Sequence, residues 1–185
     1  MPEPPSGYKT PARILHWLMA LLVLGLIPVG FLMIEDWVSR DLRNTMFISH
    51  KNIGSLMLAL FVLRLAYRLF NPPKPTPVDL PPLQETAAKI THFGLYAMLL
   101  IMPLSGYVRV RAGGFPIEAL DALGVPPLVP RSDALAEFAK DVHFFAAYGF
   151  IFLIAMHVGA AAYHGLVRRD GIIFRMWPIF ARKSD

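Results

Sequence analysis

The sequence predicts an all-α fold, an integral membrane four-helix bundle with both termini cytoplasmic, and three observations carry that prediction. Of the 185 residues, 55% are hydrophobic and only 17% charged, too apolar for a soluble domain of this length. Four apolar spans, at residues 14–34, 46–70, 90–110 and 142–167, are each near or above the ~20 residues that cross a ~30 Å hydrocarbon core. Four spans put both termini on one face. Eleven of the 18 Lys and Arg residues fall on that face and seven on the other, which by the positive-inside rule makes it the cytoplasmic one. The whole chain, 1–185, is read as a single membrane domain with no room for a soluble one.

Each element follows from its residues. The first span comes after a short polar tail, MPEPPSGYKTPAR, and ends without a small-x-small cleavage site, so it reads as a retained anchor rather than a signal peptide. Pro28 inside it and Pro103 inside the third span are kinks of the kind membrane helices tolerate. The second span carries Lys51 and Arg64 with only twelve residues between them, so both long side chains must snorkel or be paired. Between spans two and three, NPPKPTPVDLPP (Asn71 to Pro82) is an extended connection that cannot form helix. Residues 111–137, with AGGFP and GVPPLVP, form a longer loop on the outer face. There is no internal repeat.

The chain has no cysteine, which excludes disulfides, thiolate-held iron–sulfur clusters and covalent haem attachment through C-x-x-C-H. It has six histidines, and all fall in or at the ends of spans. A buried imidazole needs a partner or costs free energy. His143 and His157 are fourteen residues apart, about 21 Å along a helix and about 40° from facing the same way. By depth His16 can meet His157 and His50 can meet His143. Two imidazole pairs, one per leaflet, on facing helices suit two bis-histidine haems. One turn on from each of these four stands a small residue, Ala20, Gly54, Ala147 and Ala161, where a porphyrin lying along the helix needs space. After His92 and His164 the same position holds Tyr96 and Arg168.

Simpler readings exist. One membrane histidine is more often a polar contact between helices than a ligand, and small residues also favour plain helix packing. Zinc usually takes a third or fourth ligand, and no carboxylate lies in the spans to complete it. The scattered methionines fit a structural role.

The stretches RILHW, SHKNIG, HFGLYAMLLIMPLSGY and DVHFFAAYGFIFLIAMHVGAAAYHG resemble the bacterial cytochrome b561 family over nearly the whole chain, and especially its short superoxide oxidase-like members. The resemblance implies a multi-pass protein of the bacterial inner membrane with two haem b groups. Their iron would be bound by His16 and His157 on the cytoplasmic side and by His50 and His143 on the outer side. It also implies exchange of electrons with ubiquinone. His92 and His164, both near the cytoplasmic face, then read as a quinone site, because a quinone carbonyl needs a hydrogen-bond donor and, on reduction, a proton. Among headgroups they would need no such role. Lys51 and Arg64 are possible partners of haem propionates. Lys51, Arg43 and Arg111 on the outer face could steer a small anion.

The leading expectation is a superoxide oxidase-type enzyme that passes electrons from superoxide on the periplasmic face to ubiquinone. A second is a cytochrome b subunit or relay for a periplasmic redox protein or dehydrogenase. A third is a non-redox, histidine-lined transport or binding bundle. Membrane lipid surrounds the protein in each case, and no nucleic acid is expected as a partner.

Overall fold

A computed structural model describes residues 7–75 and 78–177. Among these residues it is all-helical, with four helices long and apolar enough to cross a membrane. They are α1 (Thr10–Leu32), α2 (Arg40–Phe70), α3 (Pro82–Ala112) and, after a short α4 (Glu118–Ala122), α5 (Asp133–Ala162). A π-helical turn, Tyr163–Arg168, and a 3-10 turn, Ile172–Arg175, follow α5.

Most helices begin well outside the apolar spans that mark them: α2 at Arg40 rather than residue 46, α3 at Pro82 rather than 90, α5 at Asp133 rather than 142. Hydropathy locates the hydrocarbon crossing, whereas a helix runs on until a cap or a breaker stops it. For α5 the cap is Ser132, whose hydroxyl accepts from the Leu135 N–H at 3.3 Å with Asp133 in the first turn. The region expected to be loop as far as residue 137 therefore ends five residues earlier, at Ser132, the cap. For α3 the proline-rich run stops at Pro82, where a missing N–H is harmless.

In the bundle α3 packs along α5, α1 along α2, and α2 along α3. Gly94 marks a close approach of α3 and α5: a Cβ there would lie 2.9 Å from the Leu153 side chain, whose end would have to shift to admit it. At mid-depth Met19 and Val23 of α1, Met57 and Phe61 of α2 and Phe150 of α5 form a buried apolar layer, walled by Leu95, Met98 and Leu99 of α3.

One end of the bundle carries the first and last described residues and will be called the terminal end; the other is the loop end. At the terminal end the Tyr8 N–H donates to the Arg175 carbonyl (3.1 Å) and the Trp17 indole to the Met176 carbonyl (3.0 Å), tying the two chain ends together. At the loop end α4 is clamped onto α2. Lys51 Nζ reaches Glu118 Oε1 at 2.8 Å and the Pro116 carbonyl at 2.9 Å. Asn52 donates to Glu118 Oε2 (2.9 Å) and accepts from the Ala119 N–H (2.8 Å). Arg111 of α3 pairs with Asp121 at 2.5 Å. Burial alone would raise the Glu118 carboxyl, but the hydrogen bonds from Lys51 and Asn52 outweigh it and hold the group below the usual carboxylate range. The Arg111 hydrogen bond does the same for Asp121.

Candidate functional site

Two histidine pairs stand at the two ends of the bundle. At the loop end the rings of His50 (α2) and His143 (α5) face each other with centres 6.2 Å apart and planes at 75°. At the terminal end His16 (α1) and His157 (α5) have the same separation, 6.2 Å, and the same angle, 75°. The apolar layer lies between the two. One geometry built twice, from different partner helices, is the main feature of the molecule.

The surroundings orient the rings. His143 Nδ1 lies 3.0 Å from the Met102 carbonyl and 3.1 Å from Ser105 Oγ, while Ser105 itself donates to that carbonyl at 3.1 Å. A carbonyl can only accept, so Nδ1 carries the proton and Nε2 keeps its lone pair, the form in which histidine binds a metal. Gly106 and Gly30 let the neighbouring helices close on the ring edges. A Cβ at Gly106 would lie 3.2 Å from His143 Cε1, and one at Gly30 3.1 Å from His50 Cε1. At the other pair, Arg64 donates to the Ala12 carbonyl at 3.0 Å and comes within 3.4 Å of His16 Nδ1; it has no carboxylate partner among the described residues.

Two imidazoles on opposite sides of one metal ion, each nitrogen about 2 Å from it, hold their ring centres about 6 Å apart. Both pairs fit that span. Among the described residues no group of three or more His, Asp or Glu side chains could hold a metal alone, so each pair suits an ion whose remaining ligands come from elsewhere, as a porphyrin provides. Of the small residues expected beside the rings, Gly54 has room to spare: a Cβ there would meet nothing within 4 Å. Ala20, Ala147 and Ala161 are half-buried in the same helices. Gly54→Leu and Ala161→Leu are expected to lower haem content although neither residue is a ligand, since the added branch would fill space a ring requires. Normal pigment in both variants would reduce the pattern to helix packing.

The remaining candidates divide. His92 lies against His157, ring centres 5.4 Å apart, whereas His164 turns to Asp170, with Nδ1 to Oδ2 at 2.6 Å; the structure does not join His92 to His164 directly. Lys51, Arg43 and Arg111 each have a carboxylate partner, Glu118, Asp36 (3.5 Å) and Asp121. Arg109 of α3, electrostatically coupled to both His50 and His143, makes no side-chain hydrogen bond or ion pair among the described residues. Asp170, Ser105 and the Met102 carbonyl were not among the residues singled out by spacing. Their contacts cross from one element to another, and only the preference of a histidine N–H for a carbonyl or carboxylate hints at them.

A membrane bundle with an imidazole pair near each end, each pair spaced to hold a metal from two sides, suits a haem-binding membrane protein, and that is the class of protein the fold and site define. The family profile described as Prokaryotic cytochrome b561 matches residues 7–178, so the chain belongs to the prokaryotic cytochrome b561 family and is a haem b-binding membrane electron-transfer protein. It is similar to Cytochrome b561 homolog 2 of Escherichia coli (strain K12), 29% identical over 93% of this chain and 92% of that one. Cytochrome b561 homolog 1 of the same organism is 28% identical over 89% and 93%. The Probable superoxide oxidase CybB of Yersinia pestis is 26% identical over 89% and 92%.

Proposed function

We propose that the protein is a superoxide:ubiquinone oxidoreductase holding two haem b groups in the bacterial inner membrane, His16 and His157 serving one and His50 and His143 the other, with both termini cytoplasmic. The observation that carries the reading is the single histidine geometry repeated at both ends of the bundle. Haem, when bound, supplies the one-electron chemistry. The chain supplies position: α2 and α5 orient one pair, α1 and α5 the other, and the Met102 carbonyl holds the His143 tautomer. Arg64, beside His16 and without a carboxylate partner among the described residues, is a cation available to an acidic group at the terminal end.

Superoxide as donor is supported by the name of the Yersinia relative and by Arg109. Steering by Lys51, Arg43 and Arg111 would act through ion pairs whose fields largely cancel. Arg109, uncancelled beside the loop-end pair, is the stronger attractor for a small anion. Stopped-flow mixing of superoxide with the oxidised, haem-loaded protein tests this. Rapid reduction is expected, slowed by salt, with the bimolecular rate lowered about tenfold in Arg109→Gln. A protein that superoxide does not reduce would instead be a relay docked by a periplasmic redox partner.

At the terminal end, His92 and His164 are the candidates for the quinone oxygens.

A further inference from the structure

The chain beyond α5 takes an irregular course that hydropathy does not require. The helix widens into the π-turn Tyr163–Arg168, Arg169 then adopts a left-handed conformation (φ 50°), and Gly171 adopts another (φ 82°). A side chain with a Cβ held at positive φ is strained by about 1 kcal/mol or more, and both π-turns and such strain concentrate at functional sites. The result of this course is that Asp170 folds back onto the helix it has just left. Its Oδ2 accepts from His164 Nδ1 at 2.6 Å, its Oδ1 accepts from the Ile172 N–H at 3.2 Å, and Arg168 Nε lies 3.3 Å away. Arg168 is itself anchored on α3 through Gln84 Oε1 at 3.0 Å. The His164 and Asp170 side chains are only 13% and 11% exposed, so neither is a surface charge that happens to meet another. Among the described residues, the charged group in contact with the dyad is Arg168.

We infer that Asp170 is a positioning residue that holds His164 as the proton donor for quinone reduction, and this rests on the quinone site proposed above. The carboxylate fixes one proton on Nδ1 and leaves a lone pair on Nε2, so Nε2 is the atom that picks up a further proton from the aqueous side and gives it to the quinone. A carboxylate on Nδ1 orients the ring that passes the proton, the division of labour known from His–Asp pairs in hydrolases. Reduction of a quinone to the quinol takes two electrons and two protons. The electrons arrive one at a time from superoxide through the protein. One proton leaves His164 Nε2 as an O–H bond forms on the nearer quinone oxygen; the ring then recovers it from the aqueous phase. The second proton comes from water at the other oxygen. Burial alone would raise the Asp170 carboxyl, but hydrogen bonds from His164 and the Ile172 N–H, with the Arg168 charge, hold it below the usual carboxylate range, so it stays an acceptor.

The test compares wild type with Asp170→Asn, full-length and haem-loaded. In ¹⁵N-histidine NMR, the wild type is expected to show His164 protonated on Nδ1 with a strongly downfield proton, and Asp170→Asn to show mixed tautomers. In the kinetic arm, quinone reduction by the pre-reduced protein is expected to slow about tenfold in the variant and to acquire a solvent deuterium effect. Haem content and superoxide-driven reduction should stay unchanged, and the loss should fall in kcat rather than KM. An unprotonated Nδ1 in the wild type would overturn the inference even if the variant failed to fold, as would an unchanged tautomer and rate in a folded Asp170→Asn. A wild type that shows the Nδ1 proton but never reduces quinone would refute the quinone reading and with it the proton-donor role, leaving only the hydrogen bond.

Discussion

Haem content is expected to fall from two per chain to one in His143→Ala, with the remaining absorption unchanged in position and still reducible. His50→Ala should remove the same haem, whereas His16→Ala or His157→Ala should remove the other. The two pairs are about 20 Å apart along α5 and share no side chain, so losses at one should leave the other intact. The substitution also frees the Met102 carbonyl and Ser105 from His143, but both remain bonded to each other within α3, so a cavity rather than an unsatisfied network is left. Pigment analysis of the purified variants decides the matter, and two haems in His143→Ala would show that the loop-end ligands are not this pair.

The second large effect concerns the terminal end. His92→Leu combined with His164→Leu is expected to cut quinone reduction about a hundredfold, the scale on which a positioned acid acts. Reduction of the protein by superoxide should continue near the wild-type rate, so that reduced protein accumulates with no outlet for its electrons. Because His92 also lies against His157, haem content must be measured in the same sample. Undiminished quinone turnover in that double variant would place the quinone elsewhere, the half-buried surroundings of Arg68 and Tyr96 being the next place to look.

The parts of this architecture legible in the sequence are those governed by period and depth. Hydrophobic length marks four crossings, and a fixed rise per residue puts His16 level with His157 and His50 level with His143, the partners found. What could not be read depends on where an irregular backbone carries a side chain. Nothing in VRRDG announces that Arg169 and Gly171 will turn Asp170 back onto His164. Likewise Lys51 and Glu118 are separated by 67 residues and meet only because the α3–α5 connection folds a short helix over α2. Arg43, Lys51, Arg111 and Lys140 look free in a one-dimensional count and are paired in three dimensions, whereas Arg109 is in no ion pair among the described residues and acts on both His50 and His143, which only the fold makes visible.

The apolar layer of Met19, Val23, Met57, Phe61 and Phe150 gives the protein an electrical character. On the proposed reading it is a thin dielectric with a haem on either side. With the quinone site proposed at the terminal end, an electron passing from the His50–His143 end to the His16–His157 end would cross most of the membrane's voltage drop, and protons for the quinol would be drawn from the aqueous phase nearest His164. Each turnover therefore works against, or is driven by, the transmembrane potential, by up to about 2.3 kcal/mol per electron at 100 mV. The same few side chains that hold the bundle's middle together thus make its equilibrium poise responsive to how strongly the membrane is energised.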